Sequence, residues 1–129
     1  MRKQYYFRPS PGGLLSWNVD WLIAQSARLP RRVVALEEIH EIDEPWHGDD
    51  ETPSWRAMVA HAKLIEEADL SYPIILAADG RVMDGMHRVA KALLQGRETI
   101  NAVQFEVDPP PDHVGRGPQD LPYDRPEER

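Results

Sequence analysis

The sequence contains no cysteine among its 129 residues, which excludes disulfides, a thiolate nucleophile and a sulfur-ligated zinc site. It also lacks an excess of basic residues: the formal net charge is -7, so we expect neither nonspecific nucleic acid binding nor attraction to an anionic membrane. No apolar run approaches roughly eighteen residues, and no charged-then-apolar leader follows Met1. These absences favour a cytoplasmic protein that neither spans a membrane nor is secreted.

The composition predicts one small domain. With 129 residues and 41% hydrophobic content, the chain is long enough for one modest core and too short for two ordinary domains. The segment 108–129 holds six of the twelve prolines and few sizeable apolar side chains. Such a segment buries too little surface to offset the entropy of ordering it. We therefore expect a domain over residues 1–107 and an irregular or mobile tail over 108–129.

The order of the predicted elements indicates a mixed α+β domain, with a small mixed sheet and packed helices. Strands are predicted by β-branched and alternating stretches, helices by apolar side chains at helical spacing, and a hairpin turn by Asp79-Gly80. The predicted elements are a strand at 5–7, a helix at 18–29, a strand at 32–36, a helix after an N-cap at Thr52, hairpin strands at 72–78 and 81–84, a helix from Gly85 to about Gln95 and a strand at 99–107.

Two of these helices carry an apolar stripe that predicts burial against the core. The first stripe consists of Trp55, Met58, Val59, Ala62 and Ile65. The second consists of Met86, Val89, Ala90, Leu93 and Leu94.

A second Asp-Gly pair, Asp84-Gly85, follows the hairpin directly. If Asp84 is the N-cap of the next helix, the amides of the first turn point outward with the positive end of the helix dipole behind them, which forms a general anion site. Gly85 would let a phosphate approach the backbone, and Arg88 would add a charged contact. His87 and Lys91 lie on the same side of the helix as Asp84 and Arg88. A plain helix cap beside a solvated polar face explains the same spacing, so the residues alone leave both interpretations open.

The stretch "PIILAADGRVMDGMHRVAKALLQGRETINAV", from Pro73 to Val103, resembles the nucleotide-binding core of the ParB/sulfiredoxin superfamily. The shared features are two successive strands, a helix that starts with a Gly-x-His-Arg motif and a strand after that helix. With "VVALEEI" and the helix from Pro53, the resemblance covers a core at 32–106. It implies contacts to the phosphates of ATP or a related nucleotide. The candidate binding residues, including the neighbouring polar face, are Asp84, Gly85, Met86, His87, Arg88 and Lys91.

Departures from the family pattern narrow the expected function. Met86 stands where sulfiredoxins have their catalytic cysteine, and a thioether cannot act as that nucleophile. Chromosome-partitioning ParB proteins have a helix-turn-helix domain after this core, whereas a proline-rich segment follows it here. We therefore do not expect sulfinic acid reduction or specific DNA binding, and no basic groove supports a nuclease.

The free-serine kinases of the ParB-like group are similar in having an acidic residue after the first core strand. In "VVALEEIHEIDEPW" that place is filled by Glu37, Glu38 and Glu41. The resemblance implies that one of them, for which we favour Glu38, accepts a hydroxyl proton during phosphoryl transfer while Mg²⁺ offsets the phosphate charge. A solvated strand edge explains the same acids.

The sequence thus favours a nucleotide- or phosphate-binding protein, with a possible ATP-dependent phosphotransferase or ATPase activity. The alternative is an inert ParB-like module that binds a nucleotide or a protein partner.

Other residues that we considered have patterns that indicate a function less strongly. The acidic segment 37–51 contains side chains of the types that bind a divalent metal, but without diagnostic spacing. They are His40, Asp43, His47, Asp49 and Asp50. Trp46 could wall a pocket, and no function is expected for His61 or His113.

Overall fold

The computed structural model describes residues 4–45 and 54–122. The described chain forms two small sheets and three α-helices, and this mixed α+β architecture confirms the predicted fold class. The elements in chain order are β1 (Tyr5–Arg8), β2 (Leu15–Asn18), α1 (Val19–Ser26), β3 (Arg32–Ala35), 3-10 turns at Leu36–Glu38 and His40–Asp43, α2 (Trp55–Glu67), β4 (Ile74–Leu76), β5 (Val82–Asp84), α3 (Met86–Leu94), β6 (Thr99–Gln104), β7 (His113–Val114) and a 3-10 turn at Pro118–Asp120.

The central sheet has four strands in the order β3-β6-β4-β5. β6 lies antiparallel to β3 and parallel to β4, and β5 returns antiparallel to β4. The hairpin between β4 and β5 turns where Asp79-Gly80 predicts: Gly80 has a φ of 91°, and its amide donates to the Ala77 carbonyl over 2.9 Å. The hairpin therefore delivers the chain directly to the start of α3.

A second sheet joins β1, β2 and β7 in antiparallel pairs. The strand β2 was not predicted, because "WNVD" reads as the beginning of the following helix. The helix α1 starts one residue later, at Val19, where the Asn18 side chain accepts a hydrogen bond from the Asp20 amide over 2.9 Å.

Buried side chains cover both faces of the central sheet. The α3 face of the sheet carries a core that includes Leu36, Ile74, Val89 and Ala102. The opposite face, which we call the α1 face, carries a core that includes Trp17, Leu22, Ile75 and Val103. The end of β5 is therefore flanked by packed side chains on both faces.

The helix α2 contradicts the predicted burial of its stripe, since none of its residues is buried. Trp55 is 82% exposed and Val59 is 65% exposed. The N-cap is also different from the predicted one: the Ser54 hydroxyl accepts from the Ala57 amide over 3.1 Å, while Thr52 lies outside the described residues. Apolar spacing correctly predicted the helix but not a partner to cover it.

The proline-rich segment is irregular over most of residues 108–122, but it is packed onto the domain. The Trp17 indole Nε1 donates to the Pro109 carbonyl over 2.8 Å, and Asp108 forms an ion pair with Arg8 over 3.0 Å. β7 extends the second sheet, and Leu121 is buried. These contacts replace the predicted domain boundary at residue 107 with a domain that continues at least to Pro122, since specific hydrogen bonds supply the ordering that the composition lacks.

Candidate functional site

The start of α3 differs from the prediction in its cap. Asp84 is the last residue of β5, and the N-cap is Gly85, which forms no side-chain capping hydrogen bond. Gly85 has a φ of 110°, and an added Cβ would lie 2.7 Å from Cγ2 of Ile74. Both the backbone conformation and the packing therefore require glycine here, because any L side chain would be strained.

Asp84 and Arg88 form an ion pair instead of capping the helix and facing solvent. Nη2 of Arg88 donates to Oδ2 of Asp84 over 3.0 Å and to the Pro73 carbonyl over 3.4 Å. The two side chains are only 19% and 17% exposed. Nη2 lies 2.9 Å from the position of an ideal Cβ on Gly85, so the guanidinium rests against the first residue of the helix start.

His87 meets a partner from α2 that the sequence did not indicate. The rings of His61 and His87 lie 5.0 Å apart between centroids and are tilted by 59°. Burial, the nearby His61 ring and the Arg88 charge together lower the pKa of His87. His87 is thus mainly neutral near pH 7. The two histidines are 26 positions apart in the chain, a separation that carries no signal from which this contact could have been predicted.

The remaining predicted binding residues, Met86 and Lys91, have other surroundings. Lys91 Nζ donates to the carbonyls of Glu66 and Ala68, each over 2.7 Å, and so caps the C-terminal end of α2. Met86 is 37% exposed at the first position of α3, which corrects the prediction that it belongs to the core. The helix buries Val89 and Ala92 instead.

The acidic segment before α2 reaches the hairpin through two residues other than Glu38. Glu41 accepts a hydrogen bond from the Val82 amide, and Glu44 pairs with Arg81 over 2.7 Å. The hydrogen bond with Glu44 raises the pKa of Arg81. Glu38 is exposed in the first 3-10 turn. The structure therefore brings Asp84, Gly85, His87 and Arg88 together but shows no contact that joins Glu38 to them.

A pocket of about 470 Å³ opens on the α1 face, beside the end of β5. Its mostly apolar walls come from α1, the segment after it, β4 and β6, and Asp84 and Arg88 contribute charged groups to the lining. The lining residues are Ile23, Ser26, Ala27, Leu29, Arg31, Tyr72, Pro73, Ile75, Asp84, Arg88 and Val103.

No protein-family model, curated protein or solved structure matches this chain. Within residues 4–45 and 54–122, no group of three or more His, Asp or Glu side chains is arranged to hold a metal ion. His47, Asp49 and Asp50, which the sequence offered as possible ligands, lie outside those residues, as does Trp46. None of the helices in the described ranges has the length and apolar character needed to cross a membrane.

Proposed function

We propose that the chain binds the phosphate group of a nucleotide or a related small molecule at the start of α3. The observation that carries this proposal is the difference between the three described helix starts. Asn18 caps α1 and Ser54 caps α2 through their side chains, whereas Gly85 gives α3 no side-chain cap. Uncapped first-turn amides at the positive end of a helix dipole favour an anion.

The neighbouring side chains add support. The Arg88 guanidinium lies against Gly85, where its positive charge favours an anion at the same turn. Asp84 offsets part of that charge, since it pairs with Arg88 over 3.0 Å. His87 follows in the first turn, and its imidazole would gain a proton more readily beside a bound phosphate.

Membership of the ParB/sulfiredoxin superfamily is part of the same proposal. Its support is the order β4, Asp79-Gly80 turn, β5, Gly-x-His-Arg helix start and β6, which follows the order that the resemblance implies. The ligand class proposed on this basis is ATP or a related nucleotide with Mg²⁺, in the cytoplasm. The nucleotide phosphates would supply most of the metal's ligands, as is usual for Mg²⁺ in phosphoryl-transfer sites.

A matched pair of charge variants tests the binding proposal. Met86→Glu places a negative charge at the first position of α3, where it complements the helix dipole but repels an anion. Leu94→Glu makes the same change at the other end of the helix, where Leu94 is 78% exposed. In calorimetric titrations with ATP, CTP and phosphate, with and without Mg²⁺, Met86→Glu should weaken binding by about 1 to 2 kcal/mol, roughly tenfold.

Leu94→Glu should bind as the wild type does. Equal losses of binding affinity in Met86→Glu and Leu94→Glu would show that the overall charge of the protein, and not the start of α3, controls the affinity. No binding to the wild type at millimolar concentrations would refute the proposed ligand class and leave the inert, partner-binding module as the alternative.

The same samples test whether binding leads to phosphoryl transfer. The resemblance assigns proton acceptance to Glu38, so wild type with ATP and Mg²⁺ should release ADP in the presence of the correct acceptor or of water, and Glu38→Gln should not. Glu37→Gln is the matched control, since both residues are exposed in the same 3-10 turn. Nucleotide binding without ADP release from ATP would support a binding protein without catalysis.

A further inference from the structure

The pocket on the α1 face adjoins the proposed phosphate site but is mostly built from other residues. Its walls include Ile75 and Val103 from the α1-face core, and Asp84 and Arg88 are the lining residues that it shares with the proposed phosphate site. Most of its lining is apolar, from Ile23 and Leu29 to Tyr72 and Pro73. A concave, mainly apolar pocket of about 470 Å³ that is also lined by a few charged groups has the usual dimensions of a small-molecule site.

Two arginines that line the pocket are anchored to the same short segment. Nη1 of Arg31 donates to the Ser71 carbonyl over 3.1 Å, and Nη2 of Arg88 donates to the Pro73 carbonyl over 3.4 Å. The two guanidinium groups are therefore held at carbonyls only two residues apart in the chain. Nε of Arg88 is enclosed and has no hydrogen-bond acceptor among the described residues.

The charged groups that line the pocket indicate the charge of a suitable ligand. Arg31 and Arg88 contribute two positive charges and Asp84 one negative charge, so these three lining groups sum to +1. A single carboxylate would neutralise that sum, and its planar pair of oxygens suits a guanidinium fork. A polyphosphate would carry more negative charge than these three groups balance and would lie against a mostly apolar wall.

We propose that this pocket binds a monocarboxylic acid with an apolar aromatic or branched aliphatic body. The carboxylate lies at the end formed by Arg31 and Arg88, and the body lies against Ile23, Leu29 and Val103. Asp84 and Arg88 line the pocket and also lie at the start of α3, so the two sites share these two side chains.

The test uses 3-phenylpropionate as the probe, followed by amide NMR shifts of the full chain. We expect saturable shifts below about 10 mM at the pocket residues Ala27, Tyr72 and Ile75. The neutral 3-phenylpropanamide and the cationic 3-phenylpropylamine keep the apolar body without the carboxylate, and each should bind at least about tenfold more weakly.

Adjacent arginines provide a matched pair of variants. Arg31→Gln removes a charge that lines the pocket, whereas Arg32→Gln removes one that is bonded to Gln104 on β6 and does not line it. Arg31→Gln should weaken 3-phenylpropionate binding at least about tenfold and Arg32→Gln should not. Ala27→Trp, which fills the pocket at its rim, should abolish the shifts and gives a second test independent of charge.

Three results would overturn the proposal: no saturable shifts at the pocket residues, equal affinity for the acid and the amide, or equal losses in Arg31→Gln and Arg32→Gln. None of these results depends on nucleotide binding, because the probe carries no phosphate. Loss of ATP binding in Met86→Glu with unchanged 3-phenylpropionate binding would support two distinct sites.

Discussion

The two faces of the central sheet are stabilised in different ways. On the α1 face, the proline-rich segment that composition marks as loose is fixed by the Trp17 indole, the Asp108 carboxylate and the buried Leu121 side chain. On the α3 face, the helix α2, whose apolar stripe predicts burial, has no buried residue. The comparison teaches that specific hydrogen bonds can order a segment poor in apolar side chains, and that helical periodicity does not guarantee a covering partner.

The largest expected effect comes from two tryptophans on opposite faces. Trp17 is 2% exposed within the α1-face core, whereas Trp55 is 82% exposed on α2. Trp17→Ala should lower the free energy of unfolding by about 3 to 5 kcal/mol, the usual cost of emptying a buried aromatic site. Trp55→Ala should change it by less than about 0.5 kcal/mol, as at other surface sites.

Urea unfolding of the two variants measures this contrast. A loss of more than about 2 kcal/mol in Trp55→Ala would mean that α2 is covered in solution, since only a buried side chain of this size is lost at such cost. The comparison between the two faces would then fail.

The next largest effect on stability is expected from removing the packed proline-rich segment. A chain ending at Val107 loses the buried Leu121 and leaves the Trp17 indole without its acceptor, Pro109. We expect a loss of at least about 3 kcal/mol, from apolar burial and an unsatisfied donor together. For a domain of this size the thermal midpoint should fall by roughly ten degrees or more.

A chain ending at Pro122 keeps every contact described above and is the control. Equal midpoints for the two truncated chains would show that residues 108–122 contribute nothing to stability, and would restore the expectation of a separate tail.

Local chemistry made the elements around the site predictable. Asp79-Gly80 specifies the hairpin turn, and the limits of α3 lie within one residue of the predicted helix from Gly85 to about Gln95. The buried face of that helix was predicted less well: Val89 is buried, but Met86 and Leu94 are exposed. The periodicity of apolar residues predicts which side of a helix faces the core. Which of those residues are buried depends on how the helix packs on the sheet.

The arrangement of the site depended on tertiary contacts that the sequence does not encode locally. Asp84 has the chemistry of an N-cap, but the left-handed conformation of Gly85 places the cap one residue later and leaves Asp84 to pair with Arg88. His61 meets His87 only because α2 and α3 are adjacent. Arg31 lines a pocket together with residues from distant strands.

A smaller effect is expected from pH. Burial, His61 and Arg88 lower the pKa of His87 below its ordinary value of 6.5 in the folded chain. Below that value the unfolded chain binds more protons, so the contribution of His87 to stability is present above about pH 6.5 and is lost as the pH falls through the lowered pKa. His87→Gln should therefore flatten the decline of the unfolding free energy between pH 7 and pH 5.

Chemical denaturation at several pH values measures the slope, with His40→Gln on the exposed 3-10 turn as the control. A slope that is unchanged in His87→Gln and reduced in His40→Gln would contradict the assigned environment of His87.

The central claim is that the uncapped amides of α3 bind an anion, and an amide NMR titration with sulfate tests it most directly. Sulfate keeps its charge across neutral pH, and the start of α1, where Asn18 already accepts from the Asp20 amide, is an internal control. We predict progressive, saturable shifts of the Met86, His87 and Arg88 amides, with little change at Asp20. Absent shifts at α3, or equal shifts at both helix starts, would contradict the account.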